Sequence, residues 1–483
     1  MVQIIDHPEY TERLPQWQAV QDTASPTGVK DARTTYLPYV GDPQNADDVT
    51  AYDRYLKRAQ FYGFTAETVR GLVGLAFDDG ITLEDNPEGL EYLETNIDGD
   101  GLGIQQSAQK TTRDTVKQGR AGLLVDYPNS SGTVTRSEAA EKGLRASVIS
   151  YDAFQVRNWQ SRKYGALRSL SLVSLAESVD VVQDDGLTVK PETQERRLVL
   201  TDELDDGGNT TGARVYQVEI YRDNDGDSET PVETYVPRKA DGKPFDYIPF
   251  FFIGSDNNDT TIDDSPMFPI ADLNVGHYRN SADYENSIFM LQPQPWASGL
   301  SQAWVDKNMT GFRLGSGALL ALPVGGQFGI EQPEPNTIAF EGMEYKQKAM
   351  IALGAKMLTA DISFNTAREA MLSNGPTTSK LQTIVNNVET AYNDALTVVG
   401  EFMGIEPPVF VVNADLSKLA GDAQLAAVMV NAWMSGLIGK TDARDYMRAQ
   451  GLIERTDEDI DGDLETEGPD LDLDDDNGDE GGE

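Results

Sequence analysis

Between Leu381 and Phe402 the apolar residues fall at Leu381, Ile384, Val385, Val388, Tyr392, Ala395, Val399 and Phe402. That is the three-and-four spacing of one helix face, and a stretch so long and regular commits the chain to a core with a helix laid across it. The opposite face carries Lys380, Asn386, Asn387, Asn393, Asp394 and Glu401, residue types that suit water. Upstream, Ala367–Leu372 also favours helix, and Ser373-Asn374-Gly375-Pro376 lies between the two. Proline lacks an amide hydrogen and its ring crowds the preceding turn. The pattern therefore predicts either one helix over Thr366–Gly404, kinked at Gly375-Pro376, or two helices joined by a tight turn.

The rest of the chain alternates in type. Residues 1–47 read as an irregular arm, interrupted at His7-Pro8, Leu14-Pro15, Ser25-Pro26 and Leu37-Pro38. Helices are expected over Val49–Tyr62, Ala66–Phe77 with Thr65 as N-cap, and Ile104–Gly119. Gly71 and Gly74 read as small residues admitting close packing. Leu123–Pro128 reads as a strand. Strand signals then dominate Leu144–Phe252: Ala146–Tyr151, Ser169–Leu175, Arg197–Thr201, Arg214–Arg222, Val232–Val236 and Tyr247–Ile253, separated by Asp/Asn/Gly turns in the manner of an antiparallel meander. Ser265–Leu291 and Ile338–Leu358 return to helix. Between them lies a Gly/Pro-rich stretch with short strands at Gly317–Leu322 and Gln327–Ile330. Pro407–Asn413 gives one more strand, and Asp422–Gly436 and Thr441–Gln450 a helical pair. The fold class implied is α+β. Residues 456–483 hold 15 acidic residues and no basic ones, too little apolar surface to fold.

Asp and Glu number 80 against 39 Lys and Arg, a net charge of −41. Such a chain repels polyanions. An acidic excess along its whole length reads as a surface adapted to high salt. No apolar run approaches the roughly 18 residues needed to cross a bilayer, and the opening MVQIIDHPEYTERLPQW lacks the pattern of a signal peptide. Without cysteine there are no disulfides, thiolate metal sites or cysteine nucleophiles. The two histidines, His7 and His277, are too few and too far apart for a histidine zinc site or a Ser-His-Asp triad. No phosphate-binding G-x-x-x-x-G-K-[ST] loop occurs, and Gly315-Ser316-Gly317 reads as a plain turn. Three acidic runs imitate calcium loops, beginning at Asn96, Asp223 and Asp457. Each lacks the bidentate glutamate, its twelfth position being Ser107, Thr234 or Gly468. No cofactor or metal is expected. Two-carboxylate hydrolysis is the one catalytic alternative that composition leaves open, and nothing singles out a pair.

Five stretches in sequence order carry a resemblance. They are AQFYGFTAETVRGLVGLAF within Tyr52–Phe77, GRAGLLVDYP at Gly119–Pro128, and SPMFPIADLNVGHYRNSADYENSIF at Ser265–Phe289 followed by QPQPWASG. The fourth is ALPVGGQFGIEQPEPNTIAFEGMEYKQKAMIALGAKML, and the fifth is TAREA continuing to SKLQTIVNNVETAYNDAL. Together they resemble the portal proteins of tailed viruses, in a branch long catalogued as a phage domain of unknown function. The acidic composition and tail depart from that pattern.

The resemblance implies a ring of about twelve copies at one capsid vertex, through which double-stranded DNA passes non-specifically during packaging and ejection. It implies no catalysis. Residues 1–264 with the 405–415 strand would form the arm and a mixed α/β wing. Residues 265–291 and 337–358 would be stem helices, 292–336 the clip, 359–365 the tunnel loop, 366–404 the channel helix and 416–455 a helical crown. Implied partners are further copies of the chain, the terminase large subunit, a head–tail connector and the major capsid protein, in the virion and, during assembly, the host cytoplasm. Candidate tunnel-loop and channel residues are Phe364, Asn365, Arg368, Lys380 and Asn387. Candidate clip contacts are Trp296, Trp304, Lys307, Phe312 and Arg313. Arg368 and Lys380 are equally expected to pair with acids of adjacent subunits. Twelve copies at −41 would carry on the order of −500 charges, an acidic wall that does not grip phosphates. Another ring-forming head–tail component is the alternative.

Overall fold

The computed structural model describes residues 4–39, 41–128, 143–164, 166–183, 185–204, 210–222, 230–290, 294–308, 322–331, 337–358, 379–414 and 444. The chain divides into two compact units, 1–414 and 415–483, and every described residue but Arg444 belongs to the first. The expected tunnel loop, the Gly375-Pro376 kink, the crown helices and the acidic tail lie outside the described residues.

The N-terminal segment is not irregular. Pro8–Ala24 forms helix α1, with His7 as N-cap and Pro8 at the first position, where no helical amide is lost. Pro15 removes one ladder donor inside the helix. The helix persists because Tyr10, Trp17 and Val20 are buried and the Trp17 indole donates to the Gln118 carbonyl at 2.8 Å. Helix α2 (Ala46–Arg58) is capped by Asn45, with Asp47 and Asp48 in its first turn and Lys57 and Arg58 in its last, the arrangement the helix dipole favours.

Helix α3 (Phe64–Ala76) begins two residues earlier than a Thr65 cap would allow, and Gly63 holds the cap position. Thr65 is instead buried inside it, directing both its amide and its hydroxyl at Asn274 Oδ1, each at 3.2 Å. Gly71 and Gly74 do not mark close packing either: a Cβ at either would meet nothing within 4 Å. Helix α4 (Ile104–Gln118) ends as expected at Gly119, in the left-handed conformation with φ 76°. A Cβ there would also strike the Asp264 carbonyl oxygen at 2.6 Å, so both conformation and space require glycine.

Strands sort into four antiparallel sheets among the described residues. β1 (Ile81–Glu84) pairs with β12 (Val409–Val412). β2 (Arg120–Asp126) is central between β3 (Ser147–Asp152) and β9 (Phe250–Gly254). β4 (Val156–Tyr164), β5 (Leu167–Val182), β6 (Val189–Leu204), β7 (Thr210–Tyr221) and β8 (Glu233–Tyr235) make the five-stranded meander in sequence order. β10 (Gln294–Ser298) pairs with β11 (Gln327–Glu331). The α+β class holds.

Successive residues of β2 point to opposite faces, and both faces are covered. Arg120, Gly122 and Asp126 face the five-stranded sheet. The Arg120 guanidinium lies over the Trp159 ring, the Phe250 ring fills the space where a Gly122 Cβ would stand, and Asp126 meets Arg196 at 2.7 Å. Ala121, Leu123 and Val125 are left to α4 and to helix α8 (Lys380–Met403), both of which pack on this sheet. All eight apolar positions of α8 predicted for its core face are buried.

A polar bridge joins the two sheets. Arg196 on β6 reaches Asp126 on β2 and Glu177 on β5 at 2.7 and 2.8 Å. Tyr151 on β3 donates to Glu177 at 2.5 Å, and the Tyr235 hydroxyl on β8 meets Asp126 at 3.3 Å. Burial opposes the Arg196 charge, but Asp126 and Glu177 more than offset this and hold its pKa above the ordinary range. Burial raises Asp126 even beside Arg196, because one guanidinium is shared by two carboxylates.

Candidate assembly surface

Helix α5 (Phe268–Met290) is a helix of two halves. Its first half is core: Ile270, Ala271, Asn274, Val275, His277, Tyr278, Ser281 and Ala282 are buried against α1, α2 and α3. His277 is a packing residue, its ring edge-on to Tyr62 and Phe64 at 5.2 and 5.3 Å. Burial, with Lys346 adding to it, lowers its pKa. Past Ala282 the helix leaves the core, and Ile288, Phe289 and Met290 are about half exposed, at 46, 57 and 56%.

Helix α7 (Ile338–Lys356) returns antiparallel beside it. The helices mesh at two glycines, each of which makes room for a side chain of the other helix. A Cβ at Gly276 would meet Lys346 Cε at 3.0 Å, and one at Gly342 would meet Asn280 Nδ2 at 2.5 Å. Farther out, the Tyr284 and Phe340 rings lie 5.8 Å apart. Apart from Met350, no residue of α7 is buried. Ile338, Phe340, Tyr345 and Ile351 are 77, 44, 73 and 61% exposed. Apolar residues so displayed are what an interface looks like before it is covered.

Charge sharpens the picture and corrects the reading of an acidic excess along the whole chain. Residues 291–358 contain five acidic and five basic residues. This neutral segment, in a chain of −41, is also where the exposed apolar side chains collect.

The candidate clip residues sit between these helices. Trp296 on β10 pairs with Gly329 on β11, and its indole lies where a Gly329 Cβ would stand, leaving it 44% exposed. Trp304, half-buried, and Lys307, exposed, lie on the short helix α6 (Gln302–Asn308). Phe312 and Arg313 lie outside the described residues.

The candidate channel residues divide likewise. Phe364, Asn365, Arg368, Gly375 and Pro376 lie outside the described residues. Lys380 and Asn387, at the start of α8, both bind the 254–264 loop of their own chain. Lys380 pairs with Asp256 at 2.5 Å. The Asn387 amide donates to the Gly254 carbonyl at 2.9 Å, while its backbone carbonyl accepts from Asn258 at 2.8 Å. The polar face of α8 is thus not simply solvated. Asn393 acts as a surrogate strand partner for Phe410, accepting from its amide at 2.9 Å and donating to its carbonyl at 2.8 Å. Glu401 meets Lys239 at 2.8 Å and Tyr247 at 3.0 Å. Of the six predicted polar-face residues, only Asn386 and Asp394 are exposed.

No catalytic constellation gathers among the described residues. The calcium-like run at Asn96 spends its oxygens on its own turn: Asp98 accepts from the Asp100 and Leu102 amides and Asn96 from that of Gly101. The runs at Asp223 and Asp457 lie outside the described residues, and no group of three or more metal-ligating side chains occurs among those described. An open cleft of 590 Å³ beside the start of α4 is lined by Glu94, Thr95 and the amides of Gln105, Gln106 and Gln109. That supplies one carboxylate, not the pair that glycoside-type hydrolysis uses. No described helix is long and apolar enough to cross a membrane.

Residues 266–403, from α5 through α8, match the model of a domain of unknown function, DUF4055. No curated protein matches the sequence. Among solved structures, the chain is similar to one from the virion of a native gene transfer agent particle, at 12% identity and a TM-score of 0.38, covering 88% of this chain and 99% of that one. It is similar to a second from the neck of the empty particle, at 13% identity and 0.38, covering 83% and 93%. A third, from the neck of the native particle computed with C12 symmetry, matches at 12% identity and 0.38, covering 85% and 94%.

Proposed function

We propose that the chain is a portal subunit: a ring at one capsid vertex, the conduit for viral DNA in packaging and ejection, and a platform for terminase and a head–tail connector. One observation carries this reading. The antiparallel pair α5–α7 leaves the core with uncovered apolar side chains on more than one side, and its charges nearly balance, five acidic against four basic residues over Phe268–Met290 and Ile338–Lys356. Copies of a chain at −41 repel one another wherever carboxylates face carboxylates. They can close against each other only where charge is balanced and apolar surface is gained, and α5–α7 offers both. The occupant of that surface is a second copy, repeated around an axis until the ring closes.

On this reading 265–291 and 337–358 are the stem, 292–336 the clip and 366–404 the channel helix. The DUF4055 match falls on these segments. Trp296, Trp304 and Lys307, on the β10–β11 and α6 excursion, are the described candidates for contact with terminase or connector. Lys380 and Asn387 support α8 through their own subunit's loop, so any role toward DNA is indirect. The test is electron microscopy of the purified chain in high salt: closed rings with a central opening of DNA width support the proposal, and single-chain particles at every salt overturn it.

A further inference from the structure

The arm ahead of α1 is fastened to an edge strand by a histidine, and we infer that it is a latch released when His7 takes up a proton. Strand β4 is an edge of the five-stranded sheet, and unpaired edges invite foreign strands. Residues 5–7 cover part of it. The His7 amide donates to the Arg157 carbonyl at 2.8 Å, Asn158 Nδ2 donates to the Ile5 carbonyl at 2.9 Å, and Asp6 takes Arg157 bidentately at 2.6 and 2.8 Å. His7 completes the clasp twice over. Its ring stacks on Trp159, with centroids 3.9 Å apart and planes inclined by 22°. Its Nδ1 accepts from the Glu9 amide at 3.3 Å, capping α1.

That acceptor role fixes the proton of the neutral ring on Nε2. Protonating Nδ1 turns the acceptor into a donor facing the Glu9 N–H, so the cap is lost and two donors collide. The new charge also stands at the positive end of α1. The ionisable groups around it are Asp6, Glu9 and Tyr10 on the arm and α1, Arg157 on β4, and Arg120 on β2, itself within 4.1 Å of the Trp159 ring. Asp6 is already committed to Arg157, which leaves Glu9 as the carboxylate that favours the imidazolium, set against Arg120. Asp259 and Asp263 in the 254–264 loop act on Arg120. Burial lowers the His7 pKa below 6.5, with Glu9 opposing and Arg120 adding to the shift. For a histidine whose folded value is depressed, the stabilisation is complete above the unfolded value and is lost as pH falls below it. The arm is therefore closed at neutral pH and opens in acid, uncovering the Trp159 ring and the start of β4.

The test is hydrogen–deuterium exchange on the full chain at constant high salt, at about pH 8 and about pH 5.5, corrected for intrinsic rates. The expected result is a loss of protection of about tenfold or more in the peptide spanning His7 and Glu9 at the lower pH, reversed on return, with α4 and α8 unchanged. His7→Asn keeps an oxygen acceptor for the Glu9 amide but does not titrate, and its protection is expected to be the same at both values. Asp6→Asn loosens the arm at both. Equal protection of the wild-type arm at the two pH values overturns the inference, as does an equal acid-induced loss in wild type and His7→Asn.

Discussion

Replacing Arg196 by Met tests the bridge between the two sheets. The side chain is 15% exposed, and its partners Asp126 and Glu177 are 16 and 14% exposed, so solvent does little to replace the lost cation. Met keeps most of the volume and the apolar stem but leaves two carboxylates with no counter-charge. Breaking a buried pair on one side costs about 3–5 kcal/mol, which for a unit of this size lowers Tm by about 3–6 °C near pH 7.5. The pH dependence has a definite sign. The folded pKa of Asp126 is raised by burial, and removing Arg196 raises it further. The folded state then binds protons that the unfolded chain does not, so stability is recovered as pH falls toward that folded value. The variant's deficit should shrink on acidification, while the wild type, with its cation in place, gains less. Differential scanning fluorimetry at several pH values reads this directly. A Tm within about 1 °C of wild type at pH 7.5, or a deficit that grows toward acid pH, would refute the reasoning.

Two further substitutions probe the core. Gly122→Ala places a methyl 2.3 Å from Phe250 Cζ, and is expected to cost about 1–3 kcal/mol in thermal or denaturant unfolding; a neutral result would mean that the ring moves freely. Asn393→Ala strips the Phe410 amide and carbonyl of their side-chain partners. A loss of about 1–3 kcal/mol is expected, with faster amide exchange confined to β12 and β1.

The helix α8 was legible because all its information is local: a repeating apolar face that nothing else in the chain can hide. The same holds for Gly119, which ends α4 where a glycine must. Strand β4 escaped because its two-residue alternation is broken. Register shifts fall between Val156 and Asn158 and between Gln160 and Ser161, so Val156 and Trp159 point inward three residues apart. Strand β1 is four residues long and exists only because Val409–Val412 pairs with it from the far end of the unit. The polar face of α8 illustrates the limit for site residues. Lys380, Asn387 and Asn393 look like a solvated stripe in sequence, yet their partners lie on a loop more than a hundred residues upstream and on β12. The proposed assembly surface left only a weak local signal, the balance of charge across 291–358, because residues 101–183 also escape the acidic excess.

The most direct test of ring formation is the mass and shape of the purified chain, by light scattering and electron microscopy in high salt, beside a variant carrying Tyr345→Glu and Ile351→Glu. Both side chains are exposed in the single chain, so the variant should fold with the far-ultraviolet circular dichroism of the wild type, its Tm lower only by the stability that ring formation adds. The account predicts closed rings of about twelve copies for the wild type and monomers for the variant. Monomeric wild type at all salt concentrations, or rings that form equally well with two glutamates on α7, would contradict it.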